Sequence, residues 1–132
     1  MKKNPVFFIA DDDIDDQELF IKALKEIDGQ CHCITAFNGE EALFKLVNEK
    51  TNLPDVIFLD LNMPKVNGKQ CLKEIKLNSM LQHIPVIIYS TSAAVHEMQE
   101  TNQLGAALFM QKPSRFNELR HSLTQIISHN WK

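Results

Sequence analysis

The chain has no excess of basic residues: 14 Lys and Arg stand against 17 Asp and Glu, a formal net charge of −3. That balance excludes the electrostatic footprint of a nucleic-acid-binding or membrane-surface domain. Long apolar runs are also missing, and none approaches the roughly 20 residues a membrane-spanning helix needs. The basic start, Met1-Lys2-Lys3-Asn4-Pro5, leads into an apolar stretch that Asp11 ends too early for a signal peptide. No membrane insertion is expected, and a cytoplasmic location is. Cysteine is scarce, with three residues, an odd number that argues against a disulfide framework. On a strand, Cys31 and Cys33 share one face and His32 the other. Further ligands at metal-binding spacing are lacking, so reduced structural cysteines are expected. The five histidines are scattered and form no His-Glu-x-x-His pattern. His32, His83 and His96 read as ordinary residues.

Hydrophobic residues make up 44% of the sequence, enough for a packed core. A length of 132 residues, with no repeat, low-complexity segment or linker, points to one domain over residues 1–132. Four short apolar runs stand out: Val6-Phe7-Phe8-Ile9-Ala10, Val56-Ile57-Phe58-Leu59, Val86-Ile87-Ile88-Tyr89 and Ala107-Leu108-Phe109-Met110. They are continuous rather than alternating, as strands of a parallel sheet covered on both faces are. Residues 31–37 are more mixed and read as a fifth, edge strand. Stretches of helical period lie between. Phe20, Ala23, Leu24 and Ile27 form one stripe, Ala42, Leu43, Leu46 and Val47 a second, and Phe116, Leu119, Leu123, Ile126 and Ile127 a third. Asn38 with Glu41, and Ser114, are helix-start signals. Residues 95–104 offer only Val95, Met98 and Leu104, so this helix is expected to be the most loosely held. The order βαβαβαβαβα with right-handed crossovers predicts an α/β doubly wound parallel sheet with helices on both faces.

Each major strand ends at a polar group: Asp11-Asp12, Asp60, Ser90 and Lys112. In open α/β sheets, ligands bind beyond the carboxyl ends of the strands, so groups far apart in sequence are expected to converge there. Carboxylates about 5 Å apart at an effective dielectric near 20 repel by about 3 kcal/mol per pair. A hard divalent cation relieves that repulsion, and oxygen ligands suit Mg²⁺. Lys112 adds a compact positive charge. Acids, a cation and a lysine are the parts needed to move a phosphoryl group onto a carboxylate.

With these residues in place, the sequence resembles the response-regulator receiver family of two-component signalling over essentially its whole length. The resemblance rests on Ile9-Ala10-Asp11-Asp12, Asp60-Leu61-Asn62-Met63-Pro64 with Gly68, Ser90-Thr91 and Lys112-Pro113. It implies the flavodoxin-like five-stranded order 2-1-3-4-5. It also implies phosphoryl transfer to Asp60 from the phosphohistidine of a sensor histidine kinase or histidine phosphotransfer protein. By the same resemblance, Asp12 is a direct metal ligand, Asp11 acts mainly through water, and Asp60 also touches the metal. Asn62 offers its backbone carbonyl. The expected ion is Mg²⁺, with Mn²⁺ able to substitute. Lys112 stabilises the phosphoryl charge, Ser90 hydrogen-bonds the phosphoryl group, and Ser90 with Phe109 forms the switch. The Lys112–Pro113 bond is expected to be cis. With no appended effector domain in this sequence, output runs through contact with a downstream protein or onward phosphotransfer.

Two departures from the family pattern matter. Asp13 makes a triple acid, so the metal pair is either Asp11-Asp12 or Asp12-Asp13; the end of the apolar run favours the former. Asp13, Asp15 and Asp16 otherwise read as a helix cap and first-turn acids. Phe109 stands where the family often has tyrosine. Other functions compete. An aspartate-nucleophile phosphatase needs a second Asp two residues on, and Asn62 cannot transfer that proton. A flavodoxin-type flavin protein must cradle a phosphate in its first loop, where Asp11, Asp12 and Asp13 would repel it. A receiver-like binding module that is never phosphorylated is the third alternative.

Overall fold

The computed structural model describes residues 4–49 and 52–128. The basic start at residues 1–3 lies outside the described residues. The elements alternate as expected: β1 (Val6–Ala10), α1 (Ile14–Ile27), β2 (His32–Ala36), α2 (Gly39–Asn48), β3 (Val56–Leu59), α3 (Gly68–Leu77), β4 (Val86–Ser90), α4 (Val95–Gln103), β5 (Leu108–Gln111) and α5 (Phe116–Ser128). All strand pairs are parallel, and the five strands run in the order β2-β1-β3-β4-β5.

The continuous apolar runs of β1, β3 and β4 are buried at every position because helices cover both faces of the sheet. Successive side chains go to opposite faces. Phe7 and Ile9 join Phe20, Leu24, Phe58, Tyr89, Leu119 and Leu123 under α1 and α5. Phe8 and Ala10 join Leu46, Ile57, Leu59, Leu72, Ile75 and Ile88 under α2 and α3. Phe20 makes an edge contact with Phe58 at 4.7 Å between centroids and a tilted contact with Tyr89 at 5.0 Å. The run ending at Met110 behaves differently. As β5 is the second edge strand, only Met110 of its four residues is buried.

Helix starts follow local chemistry. Asp13 caps α1 by accepting from the Asp16 N–H, and Asn38 caps α2 by accepting from the Glu41 N–H. Asn67 caps α3 through the Gln70 N–H. At α5 the expected signal is displaced by one residue. The Arg115 carbonyl accepts the first helical bond, from the Leu119 N–H, so Arg115 rather than Ser114 holds the cap position. In α4 only Thr101 is buried and no side chain caps the start. Val95 and Met98 are exposed. Weak anchoring follows, as its composition predicts.

The β2 edge is covered by side chains. Lys25 from α1 donates to the Cys31 carbonyl and Lys45 from α2 to the Thr35 carbonyl, each at 2.5 Å. Glu41 accepts the Phe37 N–H at 2.7 Å. Even-numbered residues of β2 bond to β1, so these odd-numbered groups are the outward ones that another strand would need.

Candidate functional site

The parallel register brings the strand ends level. Ala10 pairs with Ala36 on one side and Leu59 on the other. The chain leaves the sheet at Asp11, whose N–H donates to the Ala36 carbonyl at 3.1 Å, and at Asp60, whose N–H donates to the Ala10 carbonyl at 3.0 Å. Across β4, Ser90 pairs with Gln111, and the Lys112 N–H donates to the Ser90 carbonyl at 2.6 Å. Asp11, Asp60, Ser90 and Lys112 therefore reach the same carboxyl edge from four strands.

Side chains converge there too. The Lys112 ammonium lies 2.9 Å from Asp11 Oδ2, 3.0 Å from Asp16 Oδ2 and 3.4 Å from Asp60 Oδ2. It also sits over the Tyr89 ring, 5.3 Å from the centroid. Burial alone would lower the lysine pKa. The close contacts with Asp11 and Asp16 and the charge of Asp60 outweigh that effect and hold it above the usual value. Burial pushes the Asp11 carboxyl up to about 6, against the opposing pull of Lys112 and the Asp13 N–H. Burial likewise raises the Tyr89 phenol.

Carboxylate oxygens of Asp11, Asp12 and Asp60 lie within 4.8 Å of one another. Asp11 and Asp60 are buried and Asp12 is exposed. Asp11 Oδ1 accepts from the Asp13 N–H at 2.9 Å, whereas its buried Oδ2 has no well-directed hydrogen bond and faces Lys112. Asp60 Oδ1 accepts from the Asn62 N–H at 3.2 Å. A hard-oxygen cluster with a poorly satisfied buried carboxylate fits a divalent cation of the Mg²⁺ or Mn²⁺ type. Asp13, the alternative member of the acid pair, spends its side chain on the α1 cap.

Ser90 is fully buried, and its Oγ accepts from the Ser92 N–H at 3.2 Å. Phe109 is half-buried and packs against the core cluster beneath α2 and α3. Asn62 is exposed at the start of the loop after β3. One expectation is corrected: no peptide bond among the described residues is cis, so Lys112–Pro113 is trans. The ammonium reaches the acids regardless, because the backbone bond from Lys112 to Ser90 already sets the direction of the chain. The ordinary trans preference of about 0.5–1 kcal/mol therefore stands.

Other contacts at the site were not visible in the sequence. Asp16 reads as a first-turn acid but reaches Lys112, 96 positions away. Buried Gln17 donates from Nε2 to the Ala36 carbonyl at 3.0 Å and the Asp11 carbonyl at 3.3 Å, fixing the loop that carries the acids. Gly68 packs against the Asp60–Leu61 backbone: a Cβ there would lie 2.3 Å from the Asp60 carbonyl oxygen. On the other side of the same loop, a Cβ on Gly39 would lie 1.7 Å from the Val66 carbonyl oxygen.

The response regulator receiver domain family matches residues 7–124. The chain belongs to that family. Receiver domains are signalling modules that interact with histidine kinases and downstream partners. Among solved structures, the phosphorylated cyanobacterial phytochrome response regulator RcpA superposes with a TM-score of 0.85 at 29% identity, covering 93% of this chain and 91% of that one. The Mn(2+)-bound form of response regulator Rcp1 superposes with a TM-score of 0.81 at 28% identity, covering 94% and 92%. Protein PilG of Pseudomonas aeruginosa is 33% identical over 89 residues, 67% of this receiver chain and 64% of PilG. The chain spans about half the length of two other curated relatives. No helix among the described residues is long and apolar enough to cross a membrane.

Proposed function

We propose that this receiver is a phosphorylation-dependent signalling switch in which Asp60 accepts a phosphoryl group from the phosphohistidine of a sensor kinase or histidine phosphotransfer protein. The observation that carries the reading is the convergence of Asp11, Asp12, Asp60 and Lys112 on one strand-end crevice. A carboxylate oxygen of Asp60 attacks phosphorus, and the P–N bond to the donor imidazole breaks. The bonding electron pair leaves with that nitrogen, which takes a proton from solvent. On hydrolysis, water attacks phosphorus, the P–O bond breaks, and Asp60 recovers its carboxylate.

Asp11, Asp12, Asp60 and the Asn62 backbone carbonyl would hold Mg²⁺, with Mn²⁺ able to replace it; the neighbour Rcp1 was solved with Mn²⁺. Bound there, the cation would neutralise the acids and the charge spread over the phosphoryl oxygens. Lys112 supplies a second positive charge to those oxygens. Asn62 cannot act as the general acid that an aspartate-nucleophile phosphatase needs, so the chain is a phosphoacceptor rather than an enzyme. Ser90 turns its hydroxyl to the phosphoryl group, and Phe109 fills the space beneath it by changing rotamer. Output passes through the weakly anchored α4 surface to a downstream protein, or by onward phosphotransfer.

Intact mass after incubation with acetyl phosphate tests the assignment. Wild type should gain one phosphoryl group in the presence of Mg²⁺ and much less without it. Asp60→Asn should gain none. Equal modification of both proteins would remove Asp60 from the chemistry, and no modification of either would favour a module that only binds partners.

A further inference from the structure

Lys112 meets three carboxylates, and the contacts are not equivalent. Side-chain exposure is 1% for Asp11, 8% for Asp60 and 36% for Asp16. Yet the shorter of the two well-directed hydrogen bonds from the ammonium goes to the outermost acid: 3.0 Å to Asp16 Oδ2 against 3.4 Å to Asp60 Oδ2. Asp16 is held in place, because its N–H donates to the Asp13 capping oxygen at 3.0 Å. It lines the recess beside Tyr89, Lys112, Pro113 and Phe116, which extends to about 60 Å³ and gives water room next to the ammonium.

We infer that Asp16 is a positioning residue that holds the Lys112 ammonium toward the mouth of the crevice, partly off Asp60, and thereby shortens the life of a phosphoryl group there. The inference rests on the phosphoacceptor reading above. A phosphoryl group on Asp60 replaces one carboxylate charge with up to two charges on acceptor oxygens. Those oxygens must compete with Asp16 for the same ammonium. Asp16 also adds like charge at the rim. Without its carboxylate, Lys112 turns wholly to Asp11 and the phosphoryl oxygens, and the acyl phosphate is held more firmly.

The bland alternative is that Asp16 only complements the α1 dipole. Asp15 provides the control: it is an exposed acid in the same first turn. Asp16→Asn should lengthen the phosphoaspartate half-life in saturating Mg²⁺ by roughly three- to tenfold, the range expected for one partly exposed charged contact. Asp15→Asn should leave it within about twofold. Asp16→Glu, which keeps the charge, should restore much of the wild-type rate. The chain has one tyrosine, so the Tyr89 ring resonances report the ammonium above them without ambiguity. They should shift in Asp16→Asn and not in Asp15→Asn. An Asp16→Asn half-life equal to wild type overturns the inference while leaving Asp60 as phosphoacceptor. So does equal lengthening by Asp15→Asn. A wild-type protein that takes up no phosphoryl group overturns both readings.

Discussion

The loop that carries Asp60 into α3 is clamped between two glycines, and a methyl group on either must displace backbone. In Gly68→Ala the new Cβ would lie 2.3 Å from the Asp60 carbonyl oxygen and 2.7 Å from the Leu61 Cα. Ordinary van der Waals contact is more than 1 Å longer than the first of these, and the opposing atoms are main chain, so no rotamer change relieves the clash. Overpacking of this kind costs about 1–3 kcal/mol, and the helix-propensity gain at a first-turn position offsets only a few tenths. For a domain of this size the melting midpoint should fall by roughly 5–10 °C. Gly39→Ala, with its Cβ at 1.7 Å from the Val66 carbonyl oxygen, belongs at or beyond the upper end. Gly29→Ala is the control. Its nearest neighbour is the Lys25 carbonyl oxygen at 3.9 Å, so the change should stay within about 0.5 kcal/mol. Because Gly68 touches the backbone of Asp60, the proposed phosphoacceptor, its substitution should also slow phosphorylation. A shift near 1 Å in a reacting group costs up to about 100-fold. Calorimetry and the acetyl phosphate time course read the two effects separately. If all three variants melted and reacted alike, the close approach would not constrain the loop.

The stabilisation by Mg²⁺ should grow from about pH 5 to about pH 7.5, because burial raises the Asp11 pKa from 3.8 to about 6. The proton that stabilises the folded metal-free protein at low pH is lost as pH rises through that value, and the metal no longer has to displace it. Asp11→Asn should flatten this dependence in thermal melts. Replacing both edge lysines, Lys25→Met with Lys45→Met, uncovers the Cys31 and Thr35 carbonyls and should raise the apparent mass by light scattering. A double variant that ran like wild type at high concentration would show that the lysines are not what blocks strand addition. Beryllofluoride should shift the NMR resonances of residues 95–104 in wild type and less in Ser90→Ala; equal shifts in both would remove Ser90 as the coupling residue.

The element order was legible in the sequence because burial leaves a local trace. Val6–Ala10, Val56–Leu59 and residues 86–89 are covered on both faces, and continuous apolar runs suit that position. Asp13 and Asn38 could be read as caps because a capping side chain bonds only three residues ahead. The strand-end pattern likewise marked Asp11, Asp60, Ser90 and Lys112, since one edge of a parallel sheet collects the carboxyl ends of all its strands. Distance and direction were decided elsewhere. Which acids share the Lys112 ammonium depends on the register of β5 against β4 and on how α1 leaves β1, so Asp16 looked like any first-turn acid. Gln17 gave no sign that its amide would hold the Asp11 loop, because its partners are the Asp11 carbonyl just past β1 and the Ala36 carbonyl at the end of β2. Gly39 and Gly68 are alike in one dimension, and only the folded loop between them makes each a place where no Cβ fits. The Lys112–Pro113 bond is trans, an outcome the local sequence does not decide, because an X–Pro bond prefers trans by only about 0.5–1 kcal/mol.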